Sequence, residues 1–551
     1  MSTAAKKLPL APLVQVGGKA DRVSGAVAEE ESHDLVFGIA AHAGAGGSHI
    51  AKKLAEELRG RDFKVVTVVL SELIREVADV SARATHERTS SLQNAGTALR
   101  QKHGESIVAG LAIRAISAAR ATVSGPTAFI LDSLKHPKEL ELLRSVYKSS
   151  FYLIGVSCHE AKRERRLALK YKGASRDQLA RIKRLDEDDA QDEGQQVRSL
   201  LHLADFFLSN DVEFGSTSFT ADPVADALSR FVRLVTGNGV ERPTKDECGM
   251  YAAWSASLRS ACMSRQVGAA IVDAHGNVLA TGTNEVPKHG GGAYDEASER
   301  IDDGEKANSP VPFGRCFHGS KCFNDSKKNE IYSEIASSLR ELMDKSASIE
   351  AVAAILENAS IDRNRSEAIA KALLELVAPA TSVDRVSRAL KRTRVGALIE
   401  FSRAVHAEMD AIVSVARLGG ISVKGATLYC RTYPCHNCAR HIVSAGITDV
   451  IYIEPYRKSL AAELHADSIV EVSSSPESKA DRVNFRLFVG VAPRRFAELF
   501  EEKRNLKDPK ATQQAAPRHQ AILHAISHTE LEKKIAKQVD DMCRPETKEA
   551  G

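Results

Sequence analysis

Four residues able to build a catalytic metal site stand close together in the second half of the chain. They read His406-Ala-Glu408, then 25 residues, then Pro434-Cys435-His-Asn-Cys438. One imidazole and two thiolates, His406, Cys435 and Cys438, suit zinc and leave its fourth tetrahedral position open for water. A closed structural site would need a fourth protein ligand and would have no use for Glu408, a carboxylate placed to move protons beside the imidazole. The apolar run Ala404, Val405, Met409, Ile412, Val413 predicts a helix carrying His406 near its start, so that Glu408 leans over the metal without ligating it. Pro434 is expected to open a second helix whose first turn presents both cysteines near its positive end, where both thiols ionise easily.

This H-x-E…P-C-x-x-C pattern resembles the signature of zinc-dependent nucleobase deaminases. The resemblance implies Zn2+ as cofactor, with the pKa of its water lowered to about 7. Glu408 is then the proton shuttle, first to the ring nitrogen and then to the departing amine. Ammonia leaves and a carbonyl remains, so that cytosine becomes uracil.

Length and composition set the frame for these residues. A chain of 551 residues predicts two or three domains, and 43% hydrophobic with 27% charged residues is ordinary for globular protein. A net charge of +4 demands neither a nucleic-acid nor a membrane partner. Of nine cysteines only Cys158 precedes position 248, and three of the rest belong to the zinc set, which fits a reducing compartment better than a disulfide framework. No stretch reaches ~18 apolar residues, and the start MSTAAKKLPLAPL lacks the apolar core of a signal peptide, so a cytoplasmic protein without a membrane partner is expected.

Residues 1–32, rich in Ala, Gly, Ser and charge, are expected to form a mobile tail. Residues 33–235 alternate strands and helices: strands are expected at Leu35–Ala40, Phe63–Leu70, Ala128–Asp132, Phe151–Val156 and Ala204–Asn210. The pattern implies a parallel sheet with helices on both faces. Between the first strand and the helix from Ile50 lies Ala41-His-Ala-Gly44-Ala-Gly46-Gly47-Ser48, the strand, loop, helix order of a phosphate-binding loop. It is degenerate, since Ala41 stands where the first glycine belongs and Gly47 where the lysine belongs. Without that lysine the main charge clamp on terminal phosphates is missing, yet backbone amides and the helix end remain able to hold a phosphate. The alternative is a tight turn with no ligand. This half resembles nucleoside monophosphate kinases. The resemblance implies a bound nucleotide at Gly44, Gly46, Gly47 and Ser48, with Asp132 at the metal-orienting position or else serving as a turn aspartate; the basic run Lys162–Arg166 is either a solvated helix face or a lid over phosphates.

After a linker at 236–245, a helix is expected over Asp246–Ala261, then a hairpin with strands Ser264–Val272 and Val278–Asn284 about the turn His275-Gly276-Asn277. Residues 246–500 thus lay out a cytidine deaminase-like three-layer α/β/α domain, with an insertion over 288–400. Arg265-Gln-Val-Gly-Ala, Gly282-Thr-Asn284-Glu-Val-Pro, His406-Ala-Glu408, Thr432-Tyr-Pro-Cys435 and Glu454-Pro-Tyr456 resemble the deoxycytidylate deaminase family. That implies a deoxyribose contact from Asn284 and a nucleotide-side position for Tyr456. Arg265 either meets a phosphate or pairs with a carboxylate beside its strand.

Taken whole, a kinase-like half fused to this domain, with Asn284-Glu-Val-Pro-Lys-His-Gly-Gly-Gly and Glu454-Pro-Tyr-Arg-Lys-Ser-Leu, resembles the bacterial anti-phage dCTP deaminases. The resemblance implies conversion of free dCTP and dCMP to dUTP and dUMP, depletion of dCTP during phage infection, an inhibitory small RNA or phage-derived trigger, and a homo-oligomer. Within the insertion, Cys316, His318 and Cys322, with His289 upstream, are either a second zinc site or reduced unligated cysteines. Residues 330–400 show helical periodicity, suited to a cover over the site or an oligomer interface.

Later elements are expected as a strand at Ile447–Ile453, a helix at Leu460–His465 and a last strand at Phe485–Pro493. In the charged tail, 501–551, a helix near Ala521–Val539 is expected as a partner or packing element. Two other functions fit parts of the pattern: a deaminase of DNA or tRNA, which would need an electropositive groove that +4 over 551 residues supports poorly, and a non-catalytic nucleotide sensor, for which Glu408 would be superfluous.

Overall fold

The computed structural model describes residues 34–543 except 79–84, 188–192, 212–221, 238–239, 297–313, 319–320, most of 347–382, 392, 398–400, 456–458, 473–480 and 502–527. The first half forms β1 (Leu35–Ala41), α1 (Gly47–Arg59), β2 (Lys64–Val69), α2 (Leu70–Val77), α3 (Ile107–Arg120), β3 (Thr127–Leu134), α4 (Pro137–Tyr147), β4 (Phe151–Ser157), α5 (Glu160–Lys170), α6 (Arg176–Glu187), β5 (Phe206–Ser209) and α7 (Pro223–Thr236). These strands lie parallel in the order β5-β4-β1-β3-β2. Every residue of β1 is buried, because alternate side chains feed two cores. Val36 and Ala40 join α2, α3 and α4 on one face, while Phe37 and Ile39 join α1 and α7 on the other.

The second half forms α8 (Lys245–Ser257), β6 (Gly268–Val272), β7 (Val278–Thr283), the short hairpin β8 (Phe317–His318) and β9 (Lys321–Cys322), α9 (Phe323–Ser346), α10 (Ala407–Leu418), β10 (Thr427–Thr432), α11 (His436–Ser444), β11 (Asp449–Glu454), β12 (Ile469–Glu471) and β13 (Val483–Leu487). Its sheet runs β12-β13-β11-β10-β6-β7. The β6/β7 and β10/β6 pairs are antiparallel; the others are parallel. Met250 and Ala253 of α8 pack on one face, while Ala407, Ala411, Ala439 and Ile442 of α10 and α11 pack on the other. The fold is therefore mixed α/β, two six-stranded sheets each covered by helices on both faces.

Two expected elements are altered by tertiary contacts. The helix from Asp246 stops at Ser257, four residues early, because Ser260 Oγ leaves the helix to bond Asn284 O at 2.8 Å and the Ala261 N–H goes to the Glu285 carboxylate at 2.6 Å. The single last strand at Phe485–Pro493 is two: β13 ends at Leu487, and β14 (Gly490–Val491) pairs antiparallel with β5 at the edge of the first sheet. The Glu247 carboxylate accepts the Val491 N–H at 2.8 Å and so fixes that crossing. The tail helix lies at α12 (His528–Cys543); of the stretch expected for it, 521–527 falls outside the described residues. It packs on α3, where Glu532, 1% exposed, receives the Arg120 guanidinium at 2.8 Å.

Asp205 fastens the two halves. It is 1% exposed and accepts from the Leu153 N–H at 2.7 Å, Arg144 at 3.1 Å, Arg494 Nε at 3.0 Å and Arg495 Nε at 3.1 Å. Three guanidiniums left without their common carboxylate are costly, since breaking a buried ion pair costs about 3–5 kcal/mol. Asp205→Ala is expected to destabilise the protein by an amount in that range in urea unfolding followed by circular dichroism. A loss below ~1 kcal/mol, the value of a surface pair, would refute this role.

Candidate active site

The site is built from two helix starts. His406 is the N-cap of α10, with φ −71° and ψ 148°, and Cys435 is the N-cap of α11, with φ −69° and ψ 163°. Pro434 therefore precedes the cap rather than opening the helix, and Cys438 is the third helical residue. An N-cap residue has extended backbone just before the helix begins, so its side chain projects beyond the helix end. The strands bring the two ends together: β10 leads directly into Cys435, and α10 lies on β6 and β7. Gly282 of β7 permits the close approach of α10, since a Cβ there would lie 2.1 Å from Ala407 O. Asp410 then accepts the Thr283 N–H at 2.9 Å, and Glu285 O accepts the Val405 N–H at 3.0 Å.

Both sulfurs lie 3.4 Å from His406 Nδ1, and the three donor atoms fall within 4.8 Å of one another. A tetrahedral zinc with Zn–N of about 2.0–2.1 Å and Zn–S of about 2.3 Å sets sulfur and nitrogen roughly 3.5 Å apart, so the donor set fits that ion. Among the described residues this is the one group of three or more His, Cys, Asp or Glu close enough to hold a metal. Cys435 is pulled down to about 4, first by the hydrogen bond from Cys438 and then by His406. Cys438, the donor in that bond, is pushed well above the usual thiol range. A cation on the sulfurs would displace the proton that the pair shares. Glu408 is 5% exposed, with an oxygen 3.5 Å from Cys438 Sγ, and burial raises its carboxyl above the usual range.

His406, Glu408 and Cys435 open onto a cavity of about 450 Å³. Asn284 lines it, and its amide holds the local backbone: Oδ1 accepts the Val267 N–H at 2.7 Å and Nδ2 donates to Arg265 O at 2.8 Å. Arg265 also lines it, but its guanidinium pairs with Glu454 at 3.0 Å, the carboxylate alternative left open by the sequence. Tyr456 lies outside the described residues. Cys316 and Cys322 line the same cavity, with Cys316 Sγ 3.5 Å from Ser402 Oγ. They do not gather with His289 into a metal group, and the side chain of His318 is outside the described residues. Asn324, Asp325 and Lys328 of α9 also wall this cavity; sequence reasoning missed them, because their helical spacing fits a solvated face equally well.

The glycine loop of the first half is a second polar cluster. Gly46 caps α1 with φ 90°, a left-handed conformation that glycine adopts without strain, and Gly44 has φ 83°. Gly47 is buried at the start of α1 and Ser48 beside it is exposed. The Ala43 N–H donates to the Asp186 carboxylate at 2.7 Å, and Lys135 Nζ donates to that carboxylate at 2.7 Å and to Ala41 O at 2.9 Å. Arg163 Nε holds Ala43 O at 3.2 Å and Asn210 Nδ2 holds Ala45 O at 2.7 Å. Asp132 is buried at the end of β3, where it accepts from Ser133 Oγ at 3.1 Å. The loop's carboxylate contact therefore comes from Asp186 of α6, which sequence reasoning missed, and a cation reaches the loop from Lys135 rather than from position 47.

Residues 243–454 match the model of the cytidine and deoxycytidylate deaminase zinc-binding region, a stretch that includes His406, Glu408, Cys435 and Cys438. The chain is 34% identical over 83 residues to the deoxycytidylate deaminase of Enterobacteria phage T4, covering 15% of this chain and 42% of that protein. It is 41% identical over 56 residues to ComE operon protein 2 of Bacillus subtilis, covering 10% and 29%. With the deoxycytidylate deaminase of Saccharomyces cerevisiae it shares 24% identity over 328 residues, 58% of this chain and 73% of the other. The chain thus spans less than half the length of the first two relatives. What the fold, the donor set and these matches define together is a deoxycytidylate deaminase-type domain in the second half of the chain.

Burial opposes ionisation of Asp186, but Lys135 and then His42 outweigh it and hold this carboxyl well below the usual range. A folded pKa below the unfolded one contributes stability above the ordinary carboxylate range that is lost as pH falls. Asp186→Asn is expected to lower stability by about 3 kcal/mol at pH 7, with the gap to wild type narrowing from about pH 4 downward. Thermal melts of both proteins across that window measure it, and a gap independent of pH would refute the ion-pair account.

Proposed function

We propose that the protein is a zinc-dependent hydrolase that deaminates free deoxycytidine nucleotides, converting dCTP and dCMP to dUTP and dUMP with release of ammonia. The observation that carries this reading is Glu408, buried beside His406, Cys435 and Cys438 and facing a cavity of nucleotide size. Residues 246–500, with the insertion at 288–400, are the catalytic domain in this reading, and residues 33–235 are a nucleotide-binding regulatory domain acting through Gly44, Gly46, Gly47 and Ser48. Depletion of dCTP in anti-phage defence, under an inhibitory small RNA or phage-derived trigger, is supported by the sequence resemblance to the anti-phage dCTP deaminases.

His406, Cys435 and Cys438 would hold the metal. Zinc bound there supplies Lewis acidity and lowers the pKa of its water to about 7. Glu408 would take a proton from the attacking water, and the low-dielectric pocket that raises its pKa would also make it a ready donor afterwards. It passes that proton to the ring nitrogen as the water oxygen adds to the carbon bearing the amine. It then carries the second proton from that oxygen to the amine, which leaves as ammonia while the carbonyl forms. Asn284 fixes the Arg265–Val267 backbone at the cavity edge, where it would orient the sugar.

Purified, zinc-loaded protein offered dCTP, dCMP, CTP, deoxycytidine and single-stranded DNA is expected to release ammonia from dCTP and dCMP. Glu408→Gln should keep zinc, measured by elemental analysis, while turnover falls by about 10²–10⁴. Full activity in that variant, or conversion of DNA alone, would overturn the proposal.

A further inference from the structure

We propose that Lys328, on the inserted helix α9, is the specificity residue that receives the phosphate of the substrate and so selects nucleotides over nucleosides. This rests on the deaminase reading above and assigns it a residue that no motif of the chain indicates. The cavity over Glu408 draws its walls from two sources. His406, Glu408 and Cys435 supply the reactive end, while Asn324, Asp325 and Lys328 come from the first two turns of α9. Residues at i, i+1 and i+4 share one broad face of a helix, so this face is turned into the cavity.

The described lining holds two permanently cationic side chains, Arg265 and Lys328, and their partners differ. Arg265, in the segment before β6, is matched at 3.0 Å by Glu454, which is 14% exposed and lies on β11. A sheltered partner on a different element keeps that charge committed. Lys328 is matched at 2.8 Å by Asp325, which is 64% exposed and only three residues away on the same helix. Such a hydrated neighbour contributes little and is readily released to solvent. The Lys328 side chain itself is only 16% exposed, so its stem is packed. The early turns of α9 add a positive field of the same sign. A phosphate, carrying up to two charges at neutral pH, competes for this ammonium far better than a single exposed carboxylate does. Deoxycytidine offers no such group.

The test compares full-length, zinc-loaded wild type with Lys328→Ala, Lys328→Glu and Lys328→Arg. For dCMP, KM is expected to rise about tenfold in Lys328→Ala, and further in Lys328→Glu, with kcat changed much less, as fits loss of one charge-assisted contact. Lys328→Arg should restore most of the affinity, which a merely structural role would not produce. The ratio of kcat/KM for dCMP to that for deoxycytidine should fall by the same factor. Calorimetric binding of dCMP to Glu408→Gln with and without Lys328→Ala gives a second readout that needs no turnover. If wild type deaminates dCMP and neither KM nor binding responds at Lys328, the phosphate lies elsewhere and the proposal fails. If dCMP binding depends on Lys328 but no cytosine nucleotide is deaminated, the assignment of the phosphate subsite stands and the reaction class is wrong.

Discussion

Three donor atoms from two helices must arrive within 4.8 Å of one another, and the rest of the second half is arranged around that demand. His406 and Cys435 are both N-caps, so each projects past a helix end, and the two positive ends favour the thiolate that a cation requires. A strand, helix, strand unit, β10–α11–β11, sets one end at the carboxyl edge of the sheet, where α/β folds place their ligands. The other end is pinned by the glycine contact at β7 and by Asp410. A shift of about one ångström in either helix would move sulfur and nitrogen out of metal-ligand reach.

A second constraint joins the halves. Buried polar anchors do this work: Asp205 holds Arg144 of its own half and gathers Arg494 and Arg495 across the boundary, and Glu247 binds both Arg230 at 2.7 Å and the backbone of β14. One apolar cluster runs through Leu200, Ala204 and Phe207 to Phe488, Met250 and Tyr429, so the first sheet and the second share a core. Motions of the glycine-loop half therefore have a packed route to the sheet that carries Cys435. That loop is itself held by side chains of α5 and α6, through Arg163 and Asp186.

Charge placement separates the two polar clusters. At the metal site the acids and thiols are screened from water, which raises Glu408 and makes the sulfurs act as a pair. At the glycine loop a buried carboxylate is matched by lysine and histidine and stays ionised. The same burial has opposite outcomes because Asp186 has a cation at 2.7 Å, whereas His406 only partly offsets the burial of Glu408.

The sequence by itself determined the elements whose signal is local. Continuous apolar runs announced β1, β3 and β4, because a parallel strand buried on both faces needs no polar alternation. The hairpin β6/β7 followed from its turn residues, and the donor set His406, Glu408, Cys435 and Cys438 followed from residue types at fixed offsets. Tertiary structure alone decided what depends on partners remote in the chain. Two-residue β14 has no pattern to read, and its place beside β5 exists only because Glu247 and the Asp205 arginines hold it. Arg265 meets Glu454 at 3.0 Å only because the fold brings β11 beside it, which its sequence neighbours do not show. Asp186, Lys135 and Lys328 belong to no motif that sets them apart from solvated charges. A charge's role depends on what faces it, and that is fixed when distant segments pack.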